Sequence, residues 1–209
     1  MAIAGLVLAG GQASRMAGQD KAFLDIGDKL SLDRVLVRLQ QECHAVAISA
    51  NGDAARFNVW KCPVLPDSVR DVGPLAGLLS GLEWAEAGGY DTLITIPVDT
   101  PFIPDKIVAT LLPAPSYARC AGQSHPLVAG WPVSCRPMLA AQLSHLTPEN
   151  KKYQTRVRVF ASALGARAVD FPLIGGMDPF MNINTPQDLI LAQKYCVSAY
   201  HAGAVKETK

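Results

Sequence analysis

No apolar run in this chain approaches the roughly 18–20 residues that a membrane-spanning helix needs, so none is expected. Basic charge never accumulates either. The longest Lys/Arg run is the pair Lys151–Lys152, and the formal net charge is +1. Nucleic acid and anionic membrane are therefore not expected as partners, and any anion must be gripped by a few placed residues. Cysteine is scarce and unpatterned: Cys43, Cys62, Cys120, Cys135 and Cys196 are odd in number, widely spaced and nowhere form C-x-x-C. The histidines show no metal-ligand spacing. Neither a disulfide framework nor a zinc site is expected; reduced, packed thiols in a cytoplasmic protein are. The apolar N-terminus lacks a basic n-region and is broken by Gly10–Gly11, so it reads as a strand and not as a leader. Tandem repeats and low-complexity linkers are missing as well. A length of 209 residues, 49% hydrophobic and 18% charged, fits one globular domain with a substantial core.

What is present is organised around Ile3 to Ala22, IAGLVLAGGQASRMAGQDKA. A short apolar run to Ala9 reads as a buried strand, and Gly10–Gly11 opens it into a loop carrying Arg15, Gly18, Asp20 and Lys21. Such a loop suits nucleotide phosphates: glycines let backbone N–H groups approach the oxygens, and cationic side chains neutralise the charge. It is not a P-loop, because Lys21 lies between Asp20 and Ala22 and not in G-K-[ST], and no G-x-G-x-x-G occurs.

Leu32, Val35, Leu36 and Leu39 then recur at helical spacing, with Ser31 as the expected N-cap and Asp33 in the first turn. Ala45 to Ala50 reads as a second buried strand ending at Asn51. Ligands sit beyond the carboxyl ends of parallel strands, so Asn51 shares an edge with the first loop, as a turn residue or as a ligand contact. Leu75, Leu78, Leu79 and Leu82 mark a helix with Pro74 in its first turn. Gly73 and Gly77 are unusual there, since a mid-helix glycine costs about 1 kcal/mol relative to alanine. Close approach of a ligand and close helix–sheet packing both account for them. The strand Thr92 to Val98 delivers Asp99 among Pro97, Pro101 and Pro104, either as a ligand for Mg²⁺ or as a cap.

The second half reads more loosely: a helix over 105–112, an edge strand over 117–121, a strand from His125 to Pro132 and a helix over 136–146. His125 is a substrate contact or a satisfied structural histidine. Lys151, Lys152, Arg156 and Arg158 fall within 150–164, where a solvated helix face is expected. Thr185 as N-cap, Pro186 at the first position and Asp188 in the first turn start a last helix. Asn182 and Asn184, alternate residues of an extended segment, project to the same side. The alternation of strands and helices predicts βαβ units: an α/β three-layer sandwich with a central, mostly parallel sheet.

Four segments carry a resemblance: LAGGQASRMAGQDKA, PDS followed by GPLAG, PVDTPFIP, and NINTP. In that order they are similar to molybdenum cofactor guanylyltransferases, a family of nucleotidylyltransferases, from Leu8 to about Leu191. Ala17 departs from the pattern, standing where that family more often has glycine. The resemblance implies a Rossmann-like nucleotidyltransferase domain over 1–197, with a nucleotide half of about 1–104, a pterin-acceptor half of about 105–197, and a frayed tail over 198–209. It implies an enzyme that transfers GMP from Mg-GTP to the phosphate of molybdopterin, with or without molybdenum, releasing pyrophosphate. Arg15, Lys21 and Asp99 would then be catalytic, with Asp99 holding Mg²⁺. Leu8, Ala9, Gly10, Gly11, Gly18, Asn51, Asp67, Gly73 and Gly77 would surround the nucleotide together with Lys21 and Asp99. Arg156, interchangeably with Arg158, and Asn182 and Asn184 would face the pterin. Molybdenum-insertion proteins and molybdoenzyme chaperones would be partners. A molybdopterin carrier without chemistry, or a nucleotidylyltransferase using CTP or a sugar-phosphate acceptor, remain as alternatives. Relatives that use cytosine nucleotides tend to carry LAAG where this chain has LAGG, which favours guanine.

Overall fold

The computed structural model describes residues 1–10 and 20–201. The expectations for Gly11, Arg15, Ala17 and Gly18 lie outside the described residues. The first apolar run forms β1 (Ile3–Leu8), buried at every position. Ile3 and Val7 pack on one side of it, and Ala4, Leu6 and Leu8 on the other, which is the two-residue alternation of a strand. A two-stranded ribbon, β2 (Asp25–Ile26) and β3 (Lys29–Leu30), leads into α1 (Ser31–Glu42). There follow β4 (Ala45–Ser49), β5 (Val64–Leu65), α2 (Pro74–Ala87), β6 (Thr92–Pro97) and α3 (Ile107–Leu111). The second half contributes β7 (Ser116–Cys120), β8 (Gln123–Pro132), α4 (Arg136–Ser144), α5 (Pro148–Gln154), α6 (Val157–Ala163), β9 (Arg167–Phe171) and α7 (Pro186–His201).

The sheet has seven strands in the order β5-β4-β1-β6-β8-β7-β9. Every pairing is parallel except the two made by β8. On one face Leu32, Leu36 and Leu39 of α1 and Ile107 and Leu111 of α3 pack over Val7, Ile48 and Ile96. On the other, Leu75 and Leu78 of α2, Leu139 of α4 and Phe160 of α6 cover Leu6, Ala47, Leu93 and Trp131. The result is the three-layer α/β sandwich that the alternation of elements predicts. Fully burying a leucine or phenylalanine contributes about 1.5–3 kcal/mol, so these two faces hold the sheet rigid. A third cluster joins Leu24 and Ile26 to Ile183 and Ala192, fastening α7 and the segment before it beside the ribbon of β2 and β3. Among the described residues no helix is long and apolar enough to cross a membrane.

Some local expectations are corrected. Ser31 is the first helical residue and not the N-cap; its hydroxyl donates to the Val98 carbonyl at 2.5 Å, tying α1 to the end of β6. The Asp33 carboxylate accepts from the Leu30 N–H at 3.2 Å instead. The helix expected from 105 begins at Ile107, because Lys106 is left-handed at φ 61°. The strand over 116–120 lies inside the sheet, between β8 and β9. The edge is β9, whose exposed Arg167 and Asp170 masked its strand character; Asp170 pairs with Arg119 of β7 through two hydrogen bonds of 2.6 Å. The basic stretch divides into α5 and α6 around Arg156. The last helix starts as expected and continues to His201.

Candidate active site

β1 and β6 run side by side in register, Leu8 opposite Pro97, so the first loop and Asp99 leave the sheet together. The pairing extends past the strands: Val98 N–H donates to the Leu8 carbonyl at 3.0 Å, and Ala9 N–H to the Ser49 carbonyl at 2.9 Å. From the far end of the chain, Ile183 N–H donates to the Asp99 carbonyl at 2.9 Å and brings the NINTP turn to the same point.

Lys21 is the centre of this convergence. Its Nζ donates to Asp99 Oδ2 at 2.7 Å and to Asn184 Oδ1 at 2.5 Å. It starts a 3-10 turn over 21–23 that Asp20 caps, with Asp20 Oδ1 accepting from Ala22 N–H at 3.0 Å. The second oxygen of Asp20 pairs with Arg56 at 2.6 Å, leaving the Lys21 ammonium to Asp99 and Asn184. Asp99 Oδ1 is buried and has no partner among the described residues. An unpaired carboxylate oxygen in that position is unfavourable until a cation or donor reaches it, so Asp99 fits a metal ion. Among the described residues no group of three His, Cys, Asp or Glu side chains could hold a metal. A cation at Asp99 would therefore draw its remaining ligands from substrate oxygens and water, as hard divalent ions do.

Leu8, Ala9, Gly10, Lys21, Asp67, Gly73, Gly77 and Asp99 line one cleft along the carboxyl edge of the sheet, together with Asn182. Asn51 is not among its lining residues. Its amide is engaged by Asp67, donating to Oδ2 at 2.6 Å and accepting from the Asp67 N–H at 3.0 Å. Gly73 caps α2 at φ 62° and ψ −146°, a conformation that strains any residue with a Cβ. At Gly77 the constraint is packing: a Cβ there would stand 2.3 Å from Ser49 Oγ and 3.2 Å from Leu8 Cδ2. Helix–sheet contact thus accounts for Gly77 while it also borders the cleft.

A second cleft adjoins the first, and Pro74, Pro97, Leu127 and Asn182 line both. Arg156 and Arg158 each line it, so the structure does not separate these two candidates. Asn184 borders it too. Its backbone is fixed by Asp188, whose Oδ2 accepts from the Asn184 and Thr185 N–H groups at 2.9 and 2.8 Å. Those donors, the Asn184 N–H foremost, hold the Asp188 carboxyl below the usual carboxylate range. His125 is buried at the wall of the same cleft, its Nε2 at 2.8 Å from Asp178 Oδ2. It is thus both satisfied and placed beside a binding surface. Asp178 carried no signal in the sequence beyond its place ahead of NINTP; its Oδ1 caps the Phe180 N–H at 2.8 Å.

A mostly parallel sheet with one reversed strand, a glycine-edged cleft at its carboxyl end and a lysine–aspartate pair inside it define the nucleotidyltransferase class of enzymes. Residues 5–164 match the MobA-like NTP transferase domain, and the chain belongs to that family. Molybdenum cofactor guanylyltransferase of Acidiphilium cryptum is 43% identical over 189 residues, covering 90% of this chain and 92% of the relative. The enzyme of the same name from Mesorhizobium japonicum is 42% identical, covering 92% and 95%. Among solved structures, a nucleotidyl transferase from Methanothermobacter superposes with a TM-score of 0.72 at 15% identity, covering 95% of this chain and 99% of that one. Molybdopterin-guanine dinucleotide biosynthesis protein A of Archaeoglobus fulgidus gives 0.68 at 18% identity, covering 93% and 99%. At such identities the structural likeness speaks for the fold.

Proposed function

We propose that this enzyme transfers GMP from Mg-GTP to the terminal phosphate of molybdopterin in the cytoplasm, forming the guanine dinucleotide cofactor and pyrophosphate. The observation that carries this reading is the Lys21–Asp99 pair in a glycine-edged cleft, with one carboxylate oxygen unpartnered among the described residues, beside an adjoining cleft bearing two arginines. The names of the sequence relatives support the choice of substrates. In this reading residues 1–104 hold the nucleotide and 105–197 the acceptor.

An oxygen of the acceptor phosphate attacks the α-phosphorus of GTP, a new P–O bond forms, and the bond to the bridging oxygen breaks with its electron pair leaving on pyrophosphate. Such chemistry asks for alignment and charge neutralisation more than for covalent help. The backbone around Ala9 and Gly10 approaches the nucleotide, and the Lys21 ammonium offsets charge growing on the triphosphate. Arg15, from the first loop, has the same role. Asp99 would hold Mg²⁺, which would supply charge neutralisation for the triphosphate. Arg156 and Arg158 draw in the acceptor phosphate, and Asn182, common to both clefts, stands between the two substrates.

A competition among GTP, CTP, ATP and UTP, with magnesium and molybdopterin, tests this. GTP is expected to support turnover at least about 10²-fold better than CTP, the scale of discrimination that paired base contacts provide. A Cβ at position 10 would lie 3.9 Å from Asn51 Nδ2 and from the Ser49 carbonyl, an ordinary contact, so Gly10→Ala is expected to fold; because Gly10 lines the cleft, the added methyl should narrow it and erode that ratio. Chelation should abolish turnover and added Mg²⁺ restore it. Preferential use of CTP, or of a sugar phosphate as acceptor, would overturn the proposal.

A further inference from the structure

We infer that Asn184 is a positioning residue for Lys21, so that the NINTP turn serves the nucleotide site and not the acceptor alone. The inference rests on the reading of Lys21 as a phosphate-binding cation. Lysine carries its charge on a flexible stem with several rotatable bonds, and ordering it has an entropic cost. Two acceptors fix this one: Asp99 and, from 163 residues further along the chain, Asn184.

The two acceptors differ in what they do to the charge. A carboxylate cancels the ammonium, whereas a neutral amide oxygen holds it and leaves its field intact. Lys21 sits on Oδ2 while Oδ1 has no partner among the described residues, so a metal ion at Oδ1 would share the Asp99 carboxylate with the ammonium. With the carboxylate charge shared in that way, the neutral Asn184 oxygen is the acceptor that holds the ammonium without a rival cation. The turn is built for that duty. Ile183, fully buried against Leu24 and Ile26, pins one side of Asn184, and the Asp188 carboxylate receives its backbone N–H on the other. Leu24 and Ile26 lie just beyond the turn that carries Lys21, so lysine and asparagine are held by one small cluster.

The test is calorimetric binding of Mg-GTP to the full-length protein and to Asn184→Ala, Asn184→Asp, Lys21→Ala and the Lys21→Ala/Asn184→Ala pair, with thermal unfolding recorded for each. Asn184→Ala is expected to weaken GTP about tenfold, the scale of one hydrogen bond to a charged group. Asn184→Asp, nearly isosteric, should weaken it further by cancelling the ammonium. In the Lys21→Ala background the Asn184→Ala change should add less than about twofold, because coupled residues are not additive. Unchanged GTP affinity in Asn184→Ala, with only the KM for molybdopterin raised, would overturn the inference, as would full additivity in the pair. Unweakened GTP binding in Lys21→Ala alone would instead overturn the reading of Lys21 on which the inference stands.

Discussion

Asn51 and Asp67 grip each other reciprocally: the asparagine amide donates to the carboxylate at 2.6 Å while its oxygen receives the Asp67 N–H at 3.0 Å. The residues that follow β4 and β5 are thereby joined, and Asp67, which lines the first cleft, is held by the Asn51 amide. An asparagine used in this way has one N–H and one lone pair left, and these point away from each other, so it has no side-by-side donor and acceptor for a base edge.

Asn51→Ala is therefore expected to act through Asp67. It should raise the KM for GTP about tenfold, the effect of losing well-formed hydrogen bonds at an oriented charge, and leave the preference for GTP over CTP unchanged. Steady-state kinetics with both nucleotides checks this. A collapse of the preference would make Asn51 a base reader after all.

Asp99→Ala and Lys21→Ala should each fold and each lose at least about 10² in turnover, as when one charge-stabilising group is removed. Circular dichroism and single-turnover assays separate the two properties. Near-native turnover in both variants would refute the roles given to them.

Much of this site was legible because it rests on local grammar. A compact apolar run into two glycines, a strand closing on Asp99 among prolines, and Thr185–Pro186 starting a helix each announce themselves within a few residues. What the sequence withheld was long-range. Nothing near Lys21 names Asn184 as its partner, and nothing near His125 names Asp178; only the fold brings residues so far apart to within 2.5 and 2.8 Å. β9 was hidden for a different reason. Its exposed Arg167 and Asp170 belong to an edge, where one side of a strand meets water and the apolar signal thins.

Gly77→Ala is a stability experiment. The added methyl would meet Ser49 Oγ at 2.3 Å, and overpacking of that kind costs about 1–3 kcal/mol. Urea unfolding should report the loss, and a Ser49→Ala change in the same chain should restore part of it. Native stability in Gly77→Ala with weakened GTP binding would show that ligand approach, not packing, demands the glycine.

The turn between β7 and β8 offers a gain. Cys120 pairs with Gln123, so only Ala121 and Gly122 connect the strands, at φ 47° and 81°. Alanine resists that left-handed region by roughly 1–2 kcal/mol, whereas Asn-Gly is the preferred pair for such a hairpin. Ala121→Asn should raise the melting temperature by about 2–4 °C with kinetics unaltered. An unchanged or lower melting temperature would contradict it.

β8 reaches well past its last pairing with β6, at Thr95 and Ala129, and the overhanging residues Gln123 to Val128 form a wall of the second cleft. Because that strand runs backwards, the wall is the tip of a hairpin and not a loop shared with the parallel strands. Extending both arms by two residues would raise the wall by about 7 Å and preserve which side chains face inward; a one-residue slip would turn every one of them over. If the second cleft takes the acceptor as proposed, the size admitted is a stepped quantity, open to inheritance as small paired insertions at one exposed turn, while Lys21 and Asp99 stay where they are.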